Sequence, residues 1–199
     1  MKKAVQLKEL NTKWLDECAC ELRTTAIQGV PGDGNPNAEI VFIGEAPGTR
    51  EDKEGRPFIG AAGKFLAEML VDIKMKREDV YITNIIKYRP PENRDPSPAE
   101  IAACASWLEG EIKLIEPTLI VFLGRHAMNH FFPDKKISEE HGVVSVVPLF
   151  GKLQHFLPLY HPAAALYNGS LRIVLKEDFK KIPRILKNIA KENPCARPS

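Results

Sequence analysis

Four short apolar runs, separated by helical patterns, constrain this chain more than any other feature. They are Ile40-Val41-Phe42-Ile43, Val80-Tyr81-Ile82-Thr83, Leu119-Ile120-Val121-Phe122-Leu123 and Phe156-Leu157-Pro158-Leu159-Tyr160. In the first three, apolar residues run consecutively rather than alternately, which predicts strands buried on both faces, as in a parallel sheet. The fourth contains Pro158, which has no N–H for a ladder and predicts an edge strand or a bulge. Between the runs, Gly63 to Ile73 carries Phe65, Leu66, Met69, Leu70 and Ile73 at helical spacing. A second helix is predicted from Pro98 to Ile115, with Ser97 as N-cap and Glu100 three residues on. Ala4 to Leu22 predicts an opening amphipathic helix, and Phe179 to Ile189 a closing one. Strand–helix alternation implies an α/β sandwich with right-handed crossovers. In such folds ligands bind at the carboxyl ends of the strands. The loops after Ile43, Thr83, Leu123 and Tyr160 are therefore expected to share one cleft.

With 199 residues and 44% hydrophobic content, the chain can bury one sizeable core but not comfortably two. A single domain over 1–199 is expected, its core spanning about 20–189, with a frayed polar tail from Lys191. The formal charge of +2 argues against a histone-like or tail-mediated binder of nucleic acid, but not against a local basic groove. No stretch approaches the roughly eighteen apolar residues that span a bilayer. The opening Met1-Lys2-Lys3-Ala4-Val5-Gln6 lacks the apolar core of a signal peptide. A cytoplasmic monomer with no membrane contact is the expectation. In that compartment Cys18, Cys20, Cys104 and Cys195 are metal ligands or ordinary buried thiols rather than disulfides.

Three of the four loops hold unusual polar residues. The first reads Gly44-Glu45-Ala46-Pro47-Gly48, then Glu51-Asp52, then Gly55-Arg56-Pro57-Phe58-Ile59-Gly60-Ala61-Ala62-Gly63. Its glycines let backbone amides approach a ligand, and Glu45 stands where a carboxylate can act on one; a solvated glycine-rich turn is the plainer alternative. The second begins with Asn84, whose amide offers one acceptor and two donors, suited to a base edge or to capping its own turn. Lys87, Arg89 and Arg94 follow it. The fourth run ends in His161-Pro162, a histidine able to donate to a developing anion or to serve as a structural residue. Lys87, Arg89, Arg94, Arg125 and Lys152 are candidate phosphate contacts, although such side chains are usually solvated surface.

Taken in order, Gly44-Glu45-Ala46-Pro47-Gly48, the Gly-Arg-Pro-Phe-Ile-Gly run to Gly63, Thr83-Asn84, Lys87-Tyr88-Arg89-Pro90-Pro91-Glu92-Asn93-Arg94 and His161-Pro162-Ala163-Ala164 form a specific pattern. The chain resembles family 4 of the uracil-DNA glycosylase superfamily, the prokaryotic branch that usually carries an iron–sulfur cluster. The resemblance implies a three-layer sandwich around a four-stranded parallel sheet. It implies a repair enzyme that flips uracil out of single- or double-stranded DNA and hydrolyses its glycosidic bond. By resemblance, Glu45 positions water or steadies the sugar cation, and His161 stabilises charge on uracil O2. Gly44, Ala46, Pro47, Gly48 and Asp52 would line the substrate site, Phe58 would stack on the base, and Asn84 would read its edge. Leu166 and Tyr167 stand where the family inserts a wedge into the vacated stack.

The pattern departs from the family in its cysteines. Cys20 and Cys104 match two of four cluster positions, Cys18 lies one place late, and Tyr88 occupies a third. A 4Fe-4S cluster held by Cys18, Cys20 and Cys104, with Cys195 or another group as fourth ligand, stands open beside loss of the cluster and packing by Tyr88. No nucleotide cofactor is expected, because Gly63-Lys64-Phe65 lacks the hydroxyl of a phosphate-binding loop. A non-catalytic relative that only grips uracil or DNA is the other functional reading.

Overall fold

The computed structural model describes residues 2–192. The sheet has six strands: β1 (Asp33–Gly34), β2 (Ile40–Gly44), β3 (Tyr81–Asn84), β4 (Leu119–Leu123), β5 (Ser145–Leu149) and β6 (Lys152–Leu159). Their spatial order is β1-β3-β2-β4-β6-β5. The expected parallel core is present as β3-β2-β4-β6, in register through pairs such as Gly44↔Asn84, Phe42↔Val121 and Leu123↔Leu159. The expectation of four strands falls short by two, since β1 and β5 add antiparallel edges. β1 is only two residues long, and β5 alternates half-buried and exposed positions, so neither shows as an apolar run.

Helices cover both faces. In chain order they are α1 (Lys2–Glu17), α2 (Thr49–Glu54), α3 (Ala61–Asp72), α4 (Pro98–Ile115), α5 (Arg125–Phe131), α6 (Ile137–Glu140), α7 (Pro162–Tyr167), α8 (Gly169–Phe179) and α9 (Ile182–Glu192). The strands divide their side chains between two cores as the pleat requires. Val41, Ile43, Ile120 and Phe122 pack with Trp14, Leu108 and Ile112 on one face. Ile40, Phe42, Val121 and Leu123 pack with Phe65, Leu66, Leu175 and Phe179 on the other. Each such fully buried side chain contributes about 1.5–3 kcal/mol of transfer free energy. None of the described helices is long and apolar enough to cross a membrane.

The start of α4 follows its sequence signal. Ser97 Oγ accepts from Glu100 N at 3.3 Å, and Glu100 Oε2 accepts from Ser97 N at 2.7 Å, a reciprocal capping box. The closing region differs from expectation, because Phe179 ends α8 instead of beginning the last helix. Pro158 is also placed differently: β6 lies between β4 and β5. The pairing of β5 stops at Phe156, so Pro158 needs no outward donor, and its carbonyl accepts from Gly142 N at 2.8 Å.

Beneath the sheet, Lys87 is fully buried, which overturns its reading as a phosphate contact. Its ammonium donates to Glu111 Oε2 at 2.6 Å and contacts Thr83 Oγ1. Glu111 also accepts from Thr83 Oγ1 at 2.9 Å, Tyr81 Oη at 3.0 Å and Gly32 N at 3.2 Å. A charge pair removed from water survives only when such partners satisfy it. Lys87→Met or Glu111→Gln alone should therefore destabilise the fold by about 3–5 kcal/mol, and the double apolar replacement by much less. Urea unfolding curves check this; additive losses would contradict the pairing.

Candidate active site

The parallel core brings the ends of four strands to one edge of the sheet, and a cleft of about 300 Å³ opens there. Glu45, Ala46, Pro47, Gly48, Phe58, Asn84, Arg94 and His161 line it, as expected from sequence. Gly44 ends β2 just behind the wall. A Cβ on it would stand 2.5 Å from Asn84 Oδ1 and 2.6 Å from the Phe58 ring, so only glycine lets the amide and the ring meet here.

Phe58 sits at φ 52°, a left-handed conformation unusual for an aromatic residue. Arg77 holds this loop by donating to Phe58 O at 3.0 Å and Pro57 O at 2.5 Å. From the other side, Glu51 Oε1 accepts from Ile59 N at 2.9 Å and Gly60 N at 2.7 Å. The Phe58 ring thereby stands 5.7 Å, centroid to centroid, from the His161 imidazole. Asn84 is buried, and its Oδ1 has no hydrogen-bond partner among the described residues. An orphaned acceptor costs about 1–3 kcal/mol, which a ligand donor would relieve.

His161 caps α7, its Nδ1 accepting from Ala163 N at 3.1 Å. That bond leaves the ring proton on Nε2 in the neutral tautomer. Part of the ring meets the cleft, but dense protein surrounds the rest, and this burial pulls its pKa down to about 4. The nearby His126 lowers it further, against an opposing pull from Glu51. The histidine is thus a neutral donor at neutral pH. Burial raises the Glu45 carboxyl above its ordinary range; His126 and Arg125 pull it down, and Asp95 pushes it up.

Asp52 does not belong to the cleft. Its buried carboxylate accepts from Ile27 N at 2.9 Å and Gln28 N at 3.3 Å, tethering a loop, while its neighbour Glu51 faces the cleft. A turn of about 100° per helical residue separates the two. Of the candidate phosphate contacts, Arg94 forks onto Glu100 at 2.9 and 2.5 Å, a pairing that drops Glu100 to about 2. Arg89 bonds Asn93 at 2.8 Å and Arg125 bonds Asp95 at 2.7 Å, all near the cleft mouth. Lys152 opens β6, eight residues long, at the far end of the sheet, where it pairs with Glu116; it cannot serve this cleft. Leu166 and Tyr167 end α7 with 37% and 93% of their surface exposed. Sequence reasoning missed Glu51, which it had noted without a role, and His126, two residues past Gly124 at the end of β4.

Cys18, Cys20 and Cys104 come together in the core on the opposite face, with Tyr88 beside all three and Trp14 edge-on to it at 5.3 Å. Burial pushes the Cys20 and Cys104 thiols up and Tyr88 to about 12, an environment that favours neutral groups. Among the described residues there is no fourth thiol, and Cys195 lies outside them. Among the described residues, three thiols and a phenol fall one thiolate short of the four-thiolate set of a 4Fe-4S cluster.

The family model described as "Uracil DNA glycosylase superfamily" matches residues 31–187. A Type-4 uracil-DNA glycosylase of Sulfurisphaera tokodaii is 49% identical over 169 residues, covering 82% of this chain and 77% of that protein. One from Archaeoglobus fulgidus is 49% identical over 168 residues, 82% of this chain and 84% of that protein. One from Thermotoga maritima is 40% identical over 185 residues, 92% of this chain and 96% of that protein.

The His161 environment makes a direct prediction. In a pH titration followed by NMR, its ring protons should titrate with a midpoint near 4. Because the folded pKa is depressed, its contribution to stability should fall as pH drops from the unfolded value of about 6.5 through that midpoint. A midpoint at or above the free value would contradict the burial.

Proposed function

The chain belongs to the uracil DNA glycosylase superfamily, and from that premise we propose how this cleft excises uracil from DNA, leaving an abasic site. The enzyme is a hydrolase of N-glycosyl bonds acting in DNA repair. A base inside a duplex cannot reach a cleft of about 300 Å³, so the nucleotide must be turned out of the stack at a cost of a few kcal/mol. Leu166, with Tyr167 beside it, fills the vacated place as a wedge. Phe58 supplies the face on which the extruded base stacks. Arg89, Arg94 and Arg125 surround the cleft mouth and exchange their present partners for phosphates. We further propose that the protein works in the cytoplasm, in keeping with a DNA substrate.

The observation that carries this reading is the unpartnered Asn84 Oδ1 in the cleft wall. Uracil presents N3–H, which that oxygen can accept, and O4, to which the amide nitrogen can donate. Cytosine presents an acceptor at N3 and a donor at its 4-amino group, the reverse pattern, and would leave both amide groups opposed. Thymine adds a methyl group against the packed wall.

Uracil departs as an anion, with negative charge at O2. His161 Nε2–H donates to that oxygen, and a neutral imidazole does so without needing a proton from an acidic medium. The Glu45 carboxylate faces the sugar, where it steadies positive charge and orients water. No covalent nucleophile is required. Tyr88 completes the thiol-lined core by packing, and no excision step passes through that region.

Excision from a uracil-containing oligonucleotide tests the roles. His161→Ala and Glu45→Ala should each slow single-turnover release by about 10²–10³ with DNA binding retained. Asn84→Asp should raise release of cytosine relative to uracil; unchanged selectivity would remove Asn84 from base reading. An assay with no excision at all would leave a protein that only grips DNA. Purified protein should show no iron–sulfur absorbance near the violet end of the visible spectrum, and a coloured preparation carrying iron and sulfide would overturn the packing role of Tyr88.

A further inference from the structure

Beside the cleft, the first turn of α5 brings a second histidine to Glu45. His126 Nε2 lies 3.9 Å from Glu45 Oε2 and 3.3 Å from Asp95 Oδ2. Arg125 donates from Nε to the same ring nitrogen at 3.1 Å, and from its terminal nitrogen to Asp95 at 2.7 Å. The three carriers come from separate elements: the loop after β2, the segment ahead of α4, and α5. We propose that His126 is a positioning residue for Glu45, bridging that carboxylate to Asp95 across the cleft mouth and holding it ionised and oriented for excision. The inference rests on the catalytic reading of Glu45.

The geometry allows two bonding states of one ring nitrogen. Neutral, Nε2 accepts from Arg125; protonated, it must turn its proton to Asp95 or Glu45. In the second state the imidazolium offsets the desolvation that otherwise favours an uncharged Glu45. The groups facing this bridge are Glu45, Asp95, Arg125 and, across the cleft, His161, which burial keeps neutral with a smaller contribution from His126. A solvated surface histidine would have no reason to contact two carboxylates from different segments while it is itself half-buried. Arg125, paired with Asp95 at 2.7 Å, brings a further positive charge to the same cluster.

The test is the pH dependence of single-turnover uracil release by wild type, His126→Gln, Asp95→Asn and Glu45→Gln. Glutamine keeps a polar bridge without the charge. His126→Gln should move the acid limb of the profile up by about one pH unit, with release about tenfold slower in acid and converging on wild type in alkali. Asp95→Asn, which removes a negative charge from the same cluster, should move the limb down. A residue that merely supports the fold would lower the whole profile without shifting it. If Glu45→Gln is impaired while the limb of His126→Gln coincides with wild type, the bridge is wrong and the role of Glu45 stands. A Glu45→Gln protein with the wild-type rate and profile overturns both. Thermal melts accompany each variant, and if His126→Gln fails to fold, His126→Asn carries the same test, an unshifted acid limb there overturning the bridge.

Discussion

Parallel pairing of β3, β2, β4 and β6 is the constraint from which the cleft follows. When neighbouring strands run the same way, every carboxyl end lies on the same edge, whatever the separation along the chain. Gly44, Asn84, Gly124 and His161 are spread over more than half of the sequence, yet each lies at such an end. The two cores above and below the sheet keep those strands in register. The loops then need only local devices: a glycine at 44, a left-handed Phe58 clamped by Glu51 and Arg77, and a histidine locked at the N-cap of α7.

Electrostatics in the cleft follow from its partial dryness. Burial disfavours charge on both Glu45 and His161, but with opposite chemical results. The histidine becomes a neutral donor, suited to an oxygen that acquires charge late. The carboxyl is pushed toward its uncharged form and needs neighbours to remain an anion, which His126 and Arg125 supply. Two groups of different sign are thus tuned by one low-dielectric setting, and the cluster at the mouth corrects the one that the setting would disable.

Residue type alone misled at several positions, in two of them because a charge found its partner inside the protein. Lys87 follows Asn84 closely and reads as a phosphate contact, but the buried Glu111 carboxylate claims it. Asp52 and Glu51 are adjacent acids, and only the orientation of α2 decides that one tethers a loop while the other clamps the Phe58 segment. Lys152 lies at the wrong end of a strand whose length was underestimated. Cys18, Cys20 and Cys104 share one apolar core, with Tyr88 in their midst.

The sequence by itself determined the parallel core, the sandwich class, the capping box of α4 and the loops that make the cleft. Those are set by local chemistry: consecutive β-branched residues need burial on both faces, and Ser97 with Glu100 needs no distant partner. It also placed Glu45, Phe58, Asn84 and His161 in one cavity. Only the tertiary structure decided the two antiparallel edges, the partner of Lys87, the tautomer of His161 and the proximity of His126 to Glu45. Each of these depends on a distance between residues remote in the chain, and a pattern along one dimension carries no such distance.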